Sequence, residues 1–194
     1  MATGHSIESG RIYVQEYGSR YYWAKNGQRF SVTHQTPSTD VTGQTSFAAT
    51  TPTFILYGAN VALPAVLSGV SLAQVGTVAG GVISLAVAVD TTNRFSTGGT
   101  AVVPQNMRTD SATASVYTFS YGATAAAAGT GTRYIWEGSA PATLGTVTSL
   151  DFLDGLVLDK AGSTAGKFTG SLLVYTWAAT TGPSWKFQFE WVEA

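Results

Sequence analysis

The chain has 194 residues, no cysteine, ten basic and eleven acidic residues, and a net charge of −1. Without thiols it can build neither a disulfide framework nor a thiolate metal site, and without a basic stripe to neutralise phosphates, nucleic acid is not an expected partner. Charged residues make up only 11% of the sequence, against about 25% in ordinary soluble domains.

Twenty-one charges are few to cover the roughly 8,700 Å² that a compact monomer of this size exposes. The expected exterior is therefore rich in Ser, Thr, Gly and Ala and partly covered by other subunits, in a homo-oligomer with closed symmetry. The longest apolar run, residues 82–89, is too short to span a bilayer, so no membrane partner is expected. Residues 1–10 lack the apolar stretch of a signal peptide, and no Asn-x-Ser/Thr acceptor occurs, so synthesis and folding in a cytoplasm are expected.

In chain order, residues 1–20 read as an extended arm whose Ile12, Tyr13, Val14 and Tyr17 need a surface to lie on. Residues 21–32 read as a β-hairpin, because Asn26-Gly27 between alternating segments is the strongest short-range hairpin signal. In that register Trp23 faces Phe30 and Tyr21 faces Val32. Residues 35–51, rich in Thr, Ser and Gly, read as a linker or loop. From residue 52 onward, short strands are punctuated every ten to twelve residues by turn residues, the spacing of sandwiches and barrels. Residues 82–89 form a continuous Val/Ile/Ala run, as in a strand covered on both faces. Residues 90–99 read as a polar loop, and Asp154-Gly155 as a turn between two strands.

The clearest strand is the last one. In residues 184–193, Trp185, Phe187, Phe189 and Trp191 share one parity, while Lys186, Gln188 and Glu190 share the other, so one wall is aromatic and one is wet. Four large rings need a second layer to cover them. The expected architecture is all-β: an antiparallel two-sheet, jelly-roll-like sandwich at 52–194, preceded by an arm and hairpin at 1–34 and a linker at 35–51.

No catalytic, cofactor-binding or metal-ligating set emerges. His5 and His34 are the only histidines, and no Gly-x-Ser-x-Gly elbow accompanies them. Asp151, Asp154 and Asp159 are close in sequence but lie among apolar strand residues and lack the alternating oxygen ligands of a calcium loop. Aromatic residues raise a glycan-binding reading, yet Trp177, Trp185 and Trp191 alternate as core residues do. Tyr13, Tyr17, Tyr22 and Trp23 fall outside the main run of strands and are candidates for contact with another protein chain.

Residues 87–100, Val-Ala-Val-Asp-Thr-Thr-Asn-Arg-Phe-Ser-Thr-Gly-Gly-Thr, continue through Pro104-Gln105-Asn106-Met107 to Asp110-Ser111 and Ala114. This stretch resembles a group of tailed-bacteriophage virion structural proteins. The resemblance implies a non-enzymatic capsid decoration (cement) protein on the virion surface, often trimeric with a β-sandwich core. It also implies the major capsid protein of the shell as partner and no cofactor. Arg94 is then a candidate contact to a partner carboxylate, or an internal staple to Asp90 or Asp110. The alternatives are a receptor- or glycan-binding head of a phage fibre or spike, and a hydrolase on a jelly-roll scaffold.

Overall fold

The computed structural model describes residues 2–8, 11–17, 19–76, 78 and 81–194, with side chains from Tyr21 onward apart from Leu153 and Asp154. The elements are β1 (Ala2–Glu8), β2 (Arg11–Tyr17), α1 (Ser19–Lys25), β3 (Arg29–Val32), β4 (Val41–Thr42), β5 (Phe54–Val61), β6 (Ala65–Gln74) and β7 (Val82–Asp90). They continue with β8 (Phe95–Val102), β9 (Gln105–Asn106), β10 (Thr118–Ala125), β11 (Arg133–Pro141), β12 (Val147–Leu158), β13 (Lys160–Ala161), β14 (Phe168–Trp177) and β15 (Ser184–Glu193).

Two antiparallel sheets pack face to face. The first has seven strands in the order β11-β7-β14-β5-β10-β8, with β13 beside β14; the second has six, β12-β6-β15-β3-β9, with β4 beside β15. Four pairings are nested: β8 with β10, β7 with β11, β6 with β12, and β5 with β14. The chain thus folds as one long antiparallel ribbon wrapped over two layers, which is its jelly-roll-like character. The tip of that ribbon, β8 and β10, stays in the sheet of β5.

The aromatic wall of β15 is the centre of the core. Trp185, Phe187, Phe189 and Trp191 are all buried, while Gln188 is exposed. Across the sandwich, Phe54 of β5 and Phe119 of β10 meet Phe187 and Phe189 at centroid distances of 4.8 to 5.4 Å. Ring pairs at these separations stabilise by about 0.5–1.5 kcal/mol beyond their area burial. The indole N–H of Trp185 donates to Thr176 Oγ1 at 2.9 Å and that of Trp191 to Glu193 Oε1 at 2.9 Å, so neither buried donor is orphaned.

As its Val/Ile/Ala run predicts, β7 is covered on both faces from Leu85 to Asp90. Leu85, Val87 and Val89 join the main core; Ala86 and Ala88 join a second apolar cluster on the outer face, with Ile55, Leu173 and Tyr175.

The structure corrects the hairpin at Asn26-Gly27. Residues 19–25 are helical, and the Asn-Gly pair ends that helix. Gly27 N–H donates to Ala24 C=O at 3.0 Å and Gln28 N–H to Trp23 C=O at 3.0 Å, with Gly27 at φ +69°. These are the two closing bonds of a Schellman cap. Both a type I′ turn and a Schellman cap need a left-handed glycine, which is why the dipeptide misleads. Tertiary bonds hold the short helix in place: Arg108 Nη1 donates to Lys25 C=O at 3.1 Å and Asn106 Nδ2 to Gly27 C=O at 2.8 Å. Phe30 and Val32 accordingly face Trp191 and Phe189 of β15 instead of the helix residues.

An N-terminal β-hairpin does exist, one segment earlier. It is β1 paired with β2 in a two-stranded sheet that joins neither sheet of the sandwich. The sandwich also takes in residues expected outside it: β3 from the segment read as arm and hairpin, and β4 from the segment read as linker. The loop at 90–99 is shorter than expected, since β8 begins at Phe95. Asp154-Gly155 is no turn between two strands; β12 is one strand whose register against β6 shifts between Asp151 and Leu156. A second register shift interrupts β11 against β7 between Tyr134 and Trp136. β11 and β12 each form one edge of their sheet, and these irregularities blunt edge-to-edge pairing there.

Replacing Gly27 with Ala should cost about 1–2 kcal/mol through its left-handed backbone, with Ser111 Oγ already 3.0 Å from the added Cβ. Urea unfolding of Gly27→Ala should show this loss with an unchanged m-value; an unaltered midpoint would contradict the cap.

Candidate functional site

The stretch 87–114 is tied inward. The Arg94 guanidinium is 3% exposed and meets Asp90 Oδ2 at 3.0 Å, whose carboxylate is 1% exposed. Arg94 also donates to Thr132 Oγ1 at 2.7 Å, to Ala126 C=O at 2.9 Å and to Ala49 C=O at 3.4 Å. Its backbone N–H donates to Ser171 Oγ at 2.8 Å, and that hydroxyl donates to Thr92 C=O at 2.9 Å. Thr92 gives Asp90 Oδ1 two bonds, from its N–H at 2.9 Å and its hydroxyl at 2.8 Å. Further along, Asp110 accepts two bonds from Arg108, at 2.6 and 3.1 Å.

Arg94 is therefore an internal staple to Asp90 and presents no charge to a partner, which removes it from the candidate contact residues. Burial acts to raise the Asp90 pKa, but bonds from Thr132, Thr92 and Arg94 outweigh it and hold the carboxyl below its ordinary value.

Of the other candidate contacts, Tyr22 is exposed and Trp23 half-buried, with their rings edge to face at 5.2 Å. Tyr21, Ala24, Lys25, Met107 and Arg108 line a shallow groove beside them. The side chains of Tyr13, Tyr17 and His5 lie outside those described. His34 accepts from Thr36 N–H through Nδ1 at 3.0 Å and sits 3.1 Å from Tyr121 Oη through Nε2, a loop-fixing role. Among the described residues no group of three or more His, Asp or Glu is placed to hold a metal ion. No helix among them is long and apolar enough to cross a membrane.

The outer face of the seven-stranded sheet carries a feature that the sequence reading missed. Phe47, Tyr134, Trp177 and Glu137 surround a slot of about 360 Å³ floored by Ala86. Register explains it: Ala86 of β7 lies between Glu137 of β11 and Tyr175 of β14, while Tyr134 and Trp177 flank the neighbouring positions Ala88 and Ser84. A row of small residues between two rows of large ones leaves a trough. Phe47, from the loop after β4, closes one end, 5.9 Å from Tyr134, 5.3 Å from Trp177 and 5.1 Å from Tyr175. Phe47 and Tyr134 are 43% and 49% exposed. Burial pushes the Tyr175 hydroxyl well above its ordinary pKa, so it stays a donor and meets Ala49 C=O at 2.9 Å. The only signal in the sequence was the alternation of Ala and Ser at 84, 86 and 88 on one strand face.

A second depression, on the outer face of the other sheet, is polar, with Ser71, Ser149, Asp151, Gln188 and Glu190 around it. Glu190 is bonded to Arg29, and Ser71 to Ser149 at 3.2 Å.

Neither the slot nor the staple forms a nucleophile–base–orienter arrangement. The chain matches no family model, no curated protein and no solved structure.

Removing the Arg94 cation should leave Asp90 buried and uncompensated, so Arg94→Met should lose about 3–5 kcal/mol, read by urea unfolding. Asp90 titrates below its ordinary value when folded, so its contribution is complete above that value and is lost as pH falls through the lowered one. The stability of the wild-type chain should therefore fall more steeply with acid than that of Asp90→Asn; equal acid slopes would contradict the staple.

Proposed function

We propose that this chain is a non-enzymatic structural protein of a phage virion, a decoration (cement) protein that binds the assembled head shell. The observation that carries the reading is the separate arm: β1 and β2 pair only with each other, and an isolated two-stranded hairpin is marginal in water. Such an element gains stability by lying on a partner surface.

The exterior points the same way. The chain exposes 9765 Å², above the roughly 8,700 Å² of a compact monomer, with 11% charged residues. Val82, Val103, Leu144 and Val147 are each more than half exposed, surface suited to contacts with the major capsid protein and with further copies of this chain in a closed oligomer such as a trimer. The phage-like stretch 87–114 supplies the class of assembly. The side chains of Asp90, Thr92, Asn93, Arg94 and Asn106 are consumed in internal bonds, so the likeness is one of a fold-forming segment.

A receptor- or ligand-binding head of a fibre or spike is the second reading, favoured by the exposed aromatic slot.

Because β3 belongs to the sandwich, the arm is best removed at residue 18. Full-length protein should co-sediment with assembled phage head shells, and the 19–194 chain should lose that binding while keeping its circular dichroism and unfolding midpoint. Undiminished binding by the truncated chain contradicts the role of the arm, and failure of the full-length chain to bind shells contradicts the cement reading itself.

A further inference from the structure

The chemistry of the slot between β11 and β14 selects a ligand class, and does so whether or not the chain decorates a shell. We infer that it binds a small quaternary ammonium cation, a trimethylammonium group of the choline type, with Phe47, Tyr134 and Trp177 as its aromatic walls and Glu137 as its counter-charge.

Three properties of the lining lead there. First, the walls are inclined to one another: Phe47 makes 66° with Tyr134 and 58° with Trp177. Rings inclined like this do not form the parallel platform that a flat sugar face calls for, while the half-exposed rings of Phe47 and Tyr134 leave surface open to a rounded group. The negative quadrupole of each aromatic face attracts a cation placed over it, by about 0.5–1 kcal/mol at exposed sites and about 2 kcal/mol when desolvated.

Second, the lining is mostly apolar surface, and its side-chain hydrogen-bonding groups are three: the Tyr134 hydroxyl, the Trp177 indole N–H and the Glu137 carboxylate. Of its five residues, Phe47, Ala86, Tyr134, Glu137 and Trp177, only Glu137 is charged. A pyranose brings hydroxyls on every side, and those left without partners disfavour binding. A quaternary ammonium brings charge and methyl groups and asks for no hydrogen bond.

Third, the local charge is negative. The nearest buried cation, Arg94, is neutralised by Asp90 at 3.0 Å. Arg133, although next to Tyr134 in sequence, lines a different groove with Asp159 and Lys160. Glu137 thus faces the slot without a competing positive group from the lining residues.

The test is nuclear magnetic resonance titration of the full chain with choline and with tetramethylammonium. Saturable shifts are expected at the amides of Ala86, Tyr134, Glu137 and Trp177. The uncharged isostere 3,3-dimethylbutanol and glucose should leave those amides in place. Glu137→Gln, on an exposed edge, should weaken choline binding about threefold to thirtyfold, as should Tyr134→Ala, and raised salt should weaken it further. Co-sedimentation with phosphatidylcholine vesicles would assign the cation to a lipid headgroup, and its absence to a free solute. The inference is overturned if no saturable shift occurs, if dimethylbutanol binds as well as choline, if glucose moves these amides and choline does not, or if Glu137→Gln binds choline unchanged while remaining folded.

Discussion

Two rings of the last strand, Phe187 and Phe189, are held between Phe54 and Phe119 of the opposing sheet, and the architecture follows from covering them. A strand with one aromatic wall is insoluble alone, so it must sit inside a sheet, and the sheet must have a second layer. β15 does sit inside, paired with β6 on one side and with β3 and β4 on the other. Residues from the beginning of the chain therefore complete the sheet built around its end. The pairing sets a limit on the arm: only the part before α1 is free of the sandwich.

The Asp90–Arg94 pair performs a second organising task. Arg94 bonds to the loop before β11 through Thr132, to the loop after β10 through Ala126 and to the loop after β4 through Ala49. The last of these also accepts the Tyr175 hydroxyl. Phe47 lies two residues before Ala49, so the staple fixes the segment that walls the aromatic slot. A buried ion pair of this kind contributes little net stability compared with apolar packing. Its value here is to hold three loops in one arrangement, with every partner hydrogen-bonded.

Strand parity made most of the fold legible. The alternation at 184–193 reads as a strand and is one, because period-2 patterning is enforced by burial on one face. Asn26-Gly27 was misread because its local chemistry serves two structures, and only the partners of Gln28 and Phe30 decide between them. The continuity of β12 was hidden because Asp154-Gly155 carries turn residues inside a strand. The aromatic slot was illegible for a different reason. It depends on which of Ala86, Tyr134 and Trp177 become cross-strand neighbours, and strand order across a sheet is not written in any one segment. Arg94 was legible as a staple because Asp90 lies four residues before it, although Thr132 and Ala49 as further partners were not.

The dependence of the whole on β15 is most directly measured by native-state hydrogen exchange. The amides of residues 185–192, together with those of 54–56 and 172–174, should be among the slowest in the molecule and should exchange only through global unfolding. Exchange of β15 by local opening, at rates like those of the loops, would contradict the claim that the sandwich is assembled around its final strand.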